Sequence, residues 1–128
     1  MFLFRLAPAA FLSILVAGSA VGQSAPPPAP VTITIASYSF TPKPIHLRAG
    51  QPVTLIFVNQ SGGGHDFTAS QFFAASAITA GAAPKGKIEL AGHETKSITL
   101  TPRAGTYPAH CSHLFHSSMG MTDEIIVD

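Results

Sequence analysis

A short run near the end of the chain concentrates residues that bind soft metal ions. Cys111 supplies a thiolate, His116 an imidazole and Met121 a thioether, shortly before a final apolar segment that ends at Val127. Cysteine and methionine sulfur favour copper, and imidazole also suits it. Three ligands could therefore converge from one loop, and a trigonal copper centre would need a second imidazole from elsewhere in the chain.

Other residues in the same run compete for these roles. His113 offers the same donor as His116, and Met119 offers the same donor as Met121. The residue types alone leave both pairs open.

The three remaining histidines outside the glycine-rich segment are poorer candidates. His110 directly precedes Cys111, and neighbouring side chains of one strand point to opposite faces, so His110 should face away from a metal held by Cys111. His46 falls in a predicted strand and His93 in a predicted turn, and we expect both at the surface.

The first twenty-two residues have the pattern of a secretory signal peptide. Arg5 provides a positive charge, residues 6–16 form an apolar stretch, and Ala20 and Gly22 stand at the minus-three and minus-one positions of a cleavage site. We therefore predict a signal peptide over residues 1–22, a mature chain that begins at Gln23, and a periplasmic or secreted protein. Cleavage after Ala20 and retention as an uncleaved anchor are the alternatives.

The composition excludes several classes of protein. Hydrophobic residues make up 46% and charged residues 10% of the 128 residues, as is typical of one folded domain rather than a disordered chain. Loss of Arg5 from the seven basic residues leaves six, against six acidic residues, so no basic patch indicates nucleic-acid binding. The single cysteine cannot form an internal disulfide, and in an oxidising compartment we expect burial or a metal to protect it.

Alternating hydrophobicity predicts the elements that must position these donors. Residues 23–30 are rich in proline and predict an extended tether, and strict alternation begins at Val31, so we place the folded domain at residues 31–128. Short strand-like runs separated by glycine or proline turns cover residues 31–35, 45–48, 53–58, 87–90, 95–101, 107–111 and 124–127. About seven to eight short strands predict an all-β, Greek-key β-sandwich.

Two segments break this alternation. Residues 62–64 are consecutive glycines, whose backbone can approach another group closely, and His65 follows them directly. The alanine-rich stretch beyond Ala69 lacks a strand pattern, and we expect a short helix or irregular connection over residues 70–79.

The order of these residues resembles the cupredoxins, the blue copper proteins. The resemblance is carried by Gly-Gly-His65-Asp-Phe and by Tyr-Pro-Ala-His-Cys111-Ser-His-Leu-Phe-His116-Ser-Ser-Met-Gly-Met121 with Ile-Ile-Val after it. Shorter matches extend it over most of the predicted domain: Phe40-Thr-Pro, Ala-Gly-Gln-Pro at 49–52 and Gly105-Thr-Tyr.

The resemblance implies one mononuclear type 1 copper ion with four ligands: His65, Cys111, His116 and Met121. The loop spacing of the family, with four residues between Cys and His and four between His and Met, favours His116 over His113. The start of the closing strand favours Met121 over Met119.

The resemblance also implies roles for residues around the ligands. Asp66 would accept hydrogen bonds from the cysteine loop near Ser112 and so join the two ligand-bearing segments. From their position beside His116, Leu114 and Phe115 are expected either to form an apolar docking patch or to belong to the core. The chain departs from many relatives at Asp123, where they carry glycine.

The implied function is one-electron transfer between redox partners outside the cytoplasm, such as a cytochrome or a copper oxidoreductase, by a monomer without a membrane span after signal cleavage. The alternative is an exported protein that traffics or buffers copper. The additional donors around the site, His110, His113 and Met119, favour this alternative. We do not expect an enzyme, because copper oxidases and reductases of this fold normally carry further copper sites and a catalytic metal needs an open coordination position.

Overall fold

The computed structural model describes residue 3, residues 13–22 and residues 26–128. Much of the predicted signal peptide, and the predicted mature terminus at Gln23, therefore lie outside the described residues. Residues 13–22 and 26–30 form neither helix nor strand. Within the described ranges, no helix is long and apolar enough to cross a membrane.

Ten strands and one α-helix make up the regular structure of the described chain. The strands are β1 (Val31–Ala36), β2 (Ser39–Thr41), β3 (Ile45–Leu47), β4 (Val53–Asn59), β5 (His65–Thr68), β6 (Ala77–Ala80), β7 (Lys87–Leu90), β8 (Thr95–Thr101), β9 (Gly105–His110) and β10 (Thr122–Val127). The helix α1 spans Ser70–Ala75, and two 3₁₀ turns span Pro84–Gly86 and Ser117–Met119.

The strands form two five-stranded sheets. The first has the order β2-β1-β4-β8-β6 and the second the order β3-β10-β9-β5-β7. Strand β1 pairs with β4 in parallel, as β3 does with β10, and the remaining pairings are antiparallel. Because β5 lies between β7 and β9, the start of β5 comes beside the chain that leaves β9.

The core lies between the sheets and is built from the alternating apolar positions. In the first sheet Ile33 and Phe57 are fully buried, and Phe67 and Ile125 contribute from the second. The rings of Phe57 and Phe67 lie 5.0 Å apart, so the two sheets meet through aromatic contact. Each such side chain contributes about 1.5–3 kcal/mol on burial, which makes the sandwich a firm support for loops at its ends.

The structure confirms the predicted β-sandwich but has ten strands rather than seven to eight. Strands β2, β5 and β6 were not expected. Strand β2 alternates around the buried Phe40 but has only three residues, too few to define a pattern. Strand β5 carries the buried polar pair His65 and Asp66, and all four residues of β6 are exposed, so neither of these two strands shows apolar alternation.

The expected helix over residues 70–79 is only partly present. Residues 70–75 are helical and bury Phe72 and Phe73, but residues 77–80 form β6. This short segment becomes a strand because its backbone pairs with β8, with Ile78 opposite Leu100. Tertiary pairing therefore overrides a local preference that the alanine-rich sequence expresses only weakly.

Candidate metal centre

Three of the predicted ligands converge where β5 begins and β9 ends. His65 is the first residue of β5, and Cys111 directly follows β9. His116 lies in the loop between β9 and β10, just before the 3₁₀ turn. The pairing of Thr68 with His110 sets β5 and β9 in a register that brings the two ends together.

The donor atoms of these residues form a small triangle. The Nδ1 atoms of His65 and His116 lie 3.1 Å apart, and the Cys111 Sγ lies 3.4 Å from Nδ1 of His116 and 4.0 Å from Nδ1 of His65. With metal–nitrogen bonds of about 2.0–2.1 Å and a metal–sulfur bond of about 2.3 Å, donors around a trigonal metal lie about 3.5–3.8 Å apart. The triangle therefore fits one ion bound through both Nδ1 atoms and the sulfur.

Burial favours the uncharged forms of Cys111 and His65 in the triangle. Cys111 is fully buried and His65 is 2% exposed, whereas His116 is half-buried. Burial raises the pKa of the Cys111 thiol. Burial, followed by the nearby His116, lowers the pKa of His65. Without a metal the thiol is thus protonated and His65 neutral, and metal binding must release the thiol proton.

Met121 closes the same loop. Its side chain is fully buried, whereas that of Met119 is 56% exposed. The Met121 N–H donates to the His116 carbonyl at 3.1 Å, and the Met121 carbonyl accepts from the Cys111 N–H at 3.1 Å. Gly120 makes the reversal between the two methionines possible with a φ of +92°, in the left-handed region that glycine favours. The backbone thereby fixes Met121 beside both Cys111 and His116.

Asp66 joins the two ligand-bearing segments. Its fully buried carboxylate accepts the Ser112 N–H at 2.8 Å, the Ser112 hydroxyl, and the Thr68 hydroxyl at 2.7 Å. Burial acts to raise the pKa of Asp66, but the hydrogen bonds from Ser112 and Thr68 outweigh it and hold that pKa below its usual value. The Asp66 N–H also donates to the Cys111 sulfur at 3.4 Å.

The other histidines do not join the triangle. His110, His46 and His93 are exposed, with His110 and Cys111 on opposite sides of the chain at the end of β9. His113 is partly exposed and places its Nε2 2.7 Å from the Glu89 carboxylate. The ring of His113 stacks on that of His116, with centroids 5.4 Å apart.

A model of the cupredoxin-like domain matches residues 8–127 of the sequence. The chain belongs to the cupredoxin-like family. A search of curated protein sequences finds no significant match.

Solved structures show the same fold. A dithionite-reduced auracyanin from the photosynthetic bacterium Roseiflexus castenholzii is similar with a TM-score of 0.62 and 18% identity, over 80% of this chain and 99% of that one. Auracyanin B is similar with a TM-score of 0.59 and 22% identity, over 83% of this chain and 93% of that one. A multicopper oxidase from Campylobacter jejuni gives 0.62 and 14%, over 82% of this chain but 31% of the oxidase.

The donor set of this cupredoxin suits one mononuclear copper ion. Two imidazoles and one cysteine sulfur form the triangle. The buried Met121 is hydrogen-bonded through its backbone to Cys111 and His116. Such mixed nitrogen and sulfur ligation is typical of blue copper centres.

Residues of the β1–β2 turn also contact this cupredoxin centre, and no sequence pattern indicated them. The Ser37 hydroxyl lies 3.3 Å from Nε2 of His65, the nitrogen that faces away from the triangle. The Tyr38 ring meets His116 edge-on at 5.1 Å between centroids. A serine and a tyrosine in a turn carry no metal-site pattern, and only the packing of the turn onto β5 reveals their position.

Proposed function

We propose that this cupredoxin is an exported one-electron carrier and that His65, Cys111, His116 and Met121 are the ligands of its copper. The convergence of the three donor atoms within 4.0 Å, at the start of β5 and in the loop that follows β9, carries the proposal. When bound, copper would supply a one-electron couple between its cupric and cuprous states.

The protein holds the ligands in one arrangement. His65 is anchored by β5 and by Ser37, and the Cys111 loop is tied to β5 through Asp66. Because these supports do not depend on the charge of the ion, little of the chain needs to move when an electron arrives or leaves. Small reorganisation favours rapid electron transfer.

The loop around His116 offers a route to a partner. Leu114 and Phe115 are 78% and 70% exposed, and Met119 is 56% exposed, next to the half-buried ligand His116. Exposed apolar side chains grouped at one place are typical of protein contact sites. We infer that a redox protein, such as a cytochrome or a copper oxidoreductase, docks here briefly and exchanges an electron through His116.

The remaining parts of the proposal concern location and turnover. The amino-terminal pattern favours export to the periplasm or the medium, where a monomer would diffuse between partners. Four protein ligands leave the copper no open coordination position, so we assign no catalytic turnover to the protein.

Reconstitution with copper tests the proposal. The mature chain should become intensely blue, show the small hyperfine splitting of a copper thiolate, and accept and release one electron reversibly. A colourless protein that binds only cuprous ion would contradict electron transfer and favour copper trafficking or buffering.

Matched variants test the ligand assignment. His116→Ala should abolish the blue colour, whereas His113→Ala and the distant control His46→Ala should keep it. Met121→Leu should shift the spectrum and the reduction potential, whereas Met119→Leu should shift neither. Loss of colour in His113→Ala with colour retained in His116→Ala would overturn the assignment.

A further inference from the structure

His113 lies beside the copper ligands and is held from outside by Glu89. Its Nε2 lies 2.7 Å from the Glu89 carboxylate, a short hydrogen bond. Its ring stacks on His116 with an interplanar angle of 23° and lies 6.3 Å from the ring of His65. One side chain thus connects strand β7 to the half-buried His116, the proposed copper ligand.

Glu89 and Asp66 hold consecutive residues of the same loop. They face each other as partners in the register of β5 and β7. Asp66 accepts hydrogen bonds from Ser112, and Glu89 binds the next residue, His113. The Nε2 of His113 is also 3.8 Å from Oδ2 of Asp66, so it lies between the two carboxylates. The sheet therefore holds the loop at two successive points.

We propose that Glu89 and His113 form a positioning clamp for His116. The bond to Glu89 fixes the plane of the His113 ring, and that ring then forms a flat wall against which His116 rests. The His113 carbonyl also accepts the His116 N–H at 3.1 Å, so the backbone and the side chain act together. The clamp keeps Nδ1 of His116 directed at the triangle, and it rests on the proposed role of His116 as a ligand.

The geometry separates this role from ligation by His113. Asp66, Cys111 and His113 could also gather around an ion, but Nε2 of His113 is hydrogen-bonded to Glu89 at 2.7 Å and lies 3.8 Å from Oδ2 of Asp66. The carboxylate of Asp66 is already bonded to Ser112 and Thr68. The Nε2–H of His113 therefore donates to Glu89 rather than to Asp66.

Gly64 lies beside the ring of His113. A Cβ added to Gly64 would lie 3.5 Å from Cε1 of His113, which is ordinary contact distance. The absence of a side chain at Gly64 therefore leaves room for the ring, which is held by Glu89 and His116.

A double-mutant cycle tests the clamp in the copper-loaded protein. Glu89→Ala and His113→Ala should each speed copper release to a chelator, by up to about tenfold, and change the copper electron paramagnetic resonance spectrum while the blue colour persists. The double variant should release copper no faster than His113→Ala alone, because the two residues act as one unit. His113→Phe, which keeps a flat ring without the bond, should lie between the wild type and His113→Ala.

The side chain of Glu89 is 50% exposed and that of His113 is 32% exposed, so we expect both variants to fold. The midpoint of urea unfolding checks that each variant is folded. His46→Ala is the matched control and should behave as the wild type does. Wild-type release rates and spectra in both single variants, or strictly additive effects in the double variant, would overturn the clamp. Loss of blue colour in His113→Ala would instead make His113 a ligand and also overturn it.

The state of His116 in the metal-free protein separates the two proposals. Nuclear magnetic resonance of the His116 ring should show faster motion in Glu89→Ala and His113→Ala than in the wild type. A colourless wild type with this difference would refute the electron carrier and keep the clamp. A blue wild type in which the His116 ring moves equally fast in all three proteins would keep the electron carrier and refute the clamp.

Discussion

Replacement of Asp123 by asparagine should stabilise the metal-free protein at neutral pH and have a smaller effect in acid. Asp123 is 6% exposed, and its Oδ1 accepts the Glu124 N–H at 2.7 Å. Its Oδ2 has no hydrogen-bond partner among the described residues. Burial raises the pKa of Asp123 to about 6, and the hydrogen bond from Glu124 and the charge of Lys43 offset burial only in part.

The sign follows from proton binding. The unfolded carboxyl has a pKa of 3.8, so between about pH 4 and pH 6 the folded protein binds more protons than the unfolded chain. The free energy of unfolding must then decrease as the pH rises through this window. A shift of about two units at about 1.4 kcal/mol each gives a ceiling of about 3 kcal/mol above pH 6.

Asp123→Asn removes the buried charge but leaves a polar amide in its place. An unsatisfied buried amide itself costs about 1 kcal/mol or more. We therefore expect the variant to gain about 1–2 kcal/mol at pH 7.5 and clearly less at pH 4.

Urea unfolding of the metal-free proteins at both pH values measures the difference. Glu124→Gln removes the adjacent, exposed carboxylate and should change little at either pH, which makes it the matched control. An equal effect of Asp123→Asn at pH 4 and pH 7.5, or a loss of stability confined to pH 7.5, would refute the reasoning.

Two further substitutions test the supports of the centre. Asp66→Ala should lower the free energy of unfolding by about 2–4 kcal/mol, because it removes a buried acceptor of three hydrogen bonds, two from Ser112 and one from Thr68. Since the folded pKa of Asp66 is depressed, its contribution is present above about pH 4 and declines below it, which urea unfolding at pH 3 and pH 7 would show. Ser37→Ala should weaken copper binding about tenfold in chelator competition by removing the hydrogen bond to His65, and equal affinity in Ser37→Ala and the exposed control Ser39→Ala would contradict this.

Much of the sandwich could be predicted because its strands bury alternate residues. The observed β1 begins at Val31, as the alternation indicated, and β4 begins at Val53, where a nearly continuous apolar run indicated a strand. Strands β5 and β6 could not be predicted in this way. The buried carboxylate of Asp66 makes hydrogen bonds that stabilise β5, and backbone pairing at a sheet edge stabilises β6. Neither interaction requires apolar residues at every second position of the sequence.

The donor types of the centre were evident from the sequence because metal chemistry restricts them to few residues. Cys111 is the only cysteine, and the loop spacing favoured His116 and Met121. Residue type alone did not separate His113 from His116, because both are histidines of one loop. The structure directs Nδ1 of His116 at the sulfur and Nε2 of His113 at Glu89.

The sequence by itself thus determined the class of fold, the kind of metal and the loop proposed to bind it, since burial and ligand softness depend on residue type. The tertiary structure alone decided what surrounds the ligands. Ser37 and Glu89 lie 28 and 24 residues from the histidines that they contact, and only sheet pairing and the packing of loops bring such residues together.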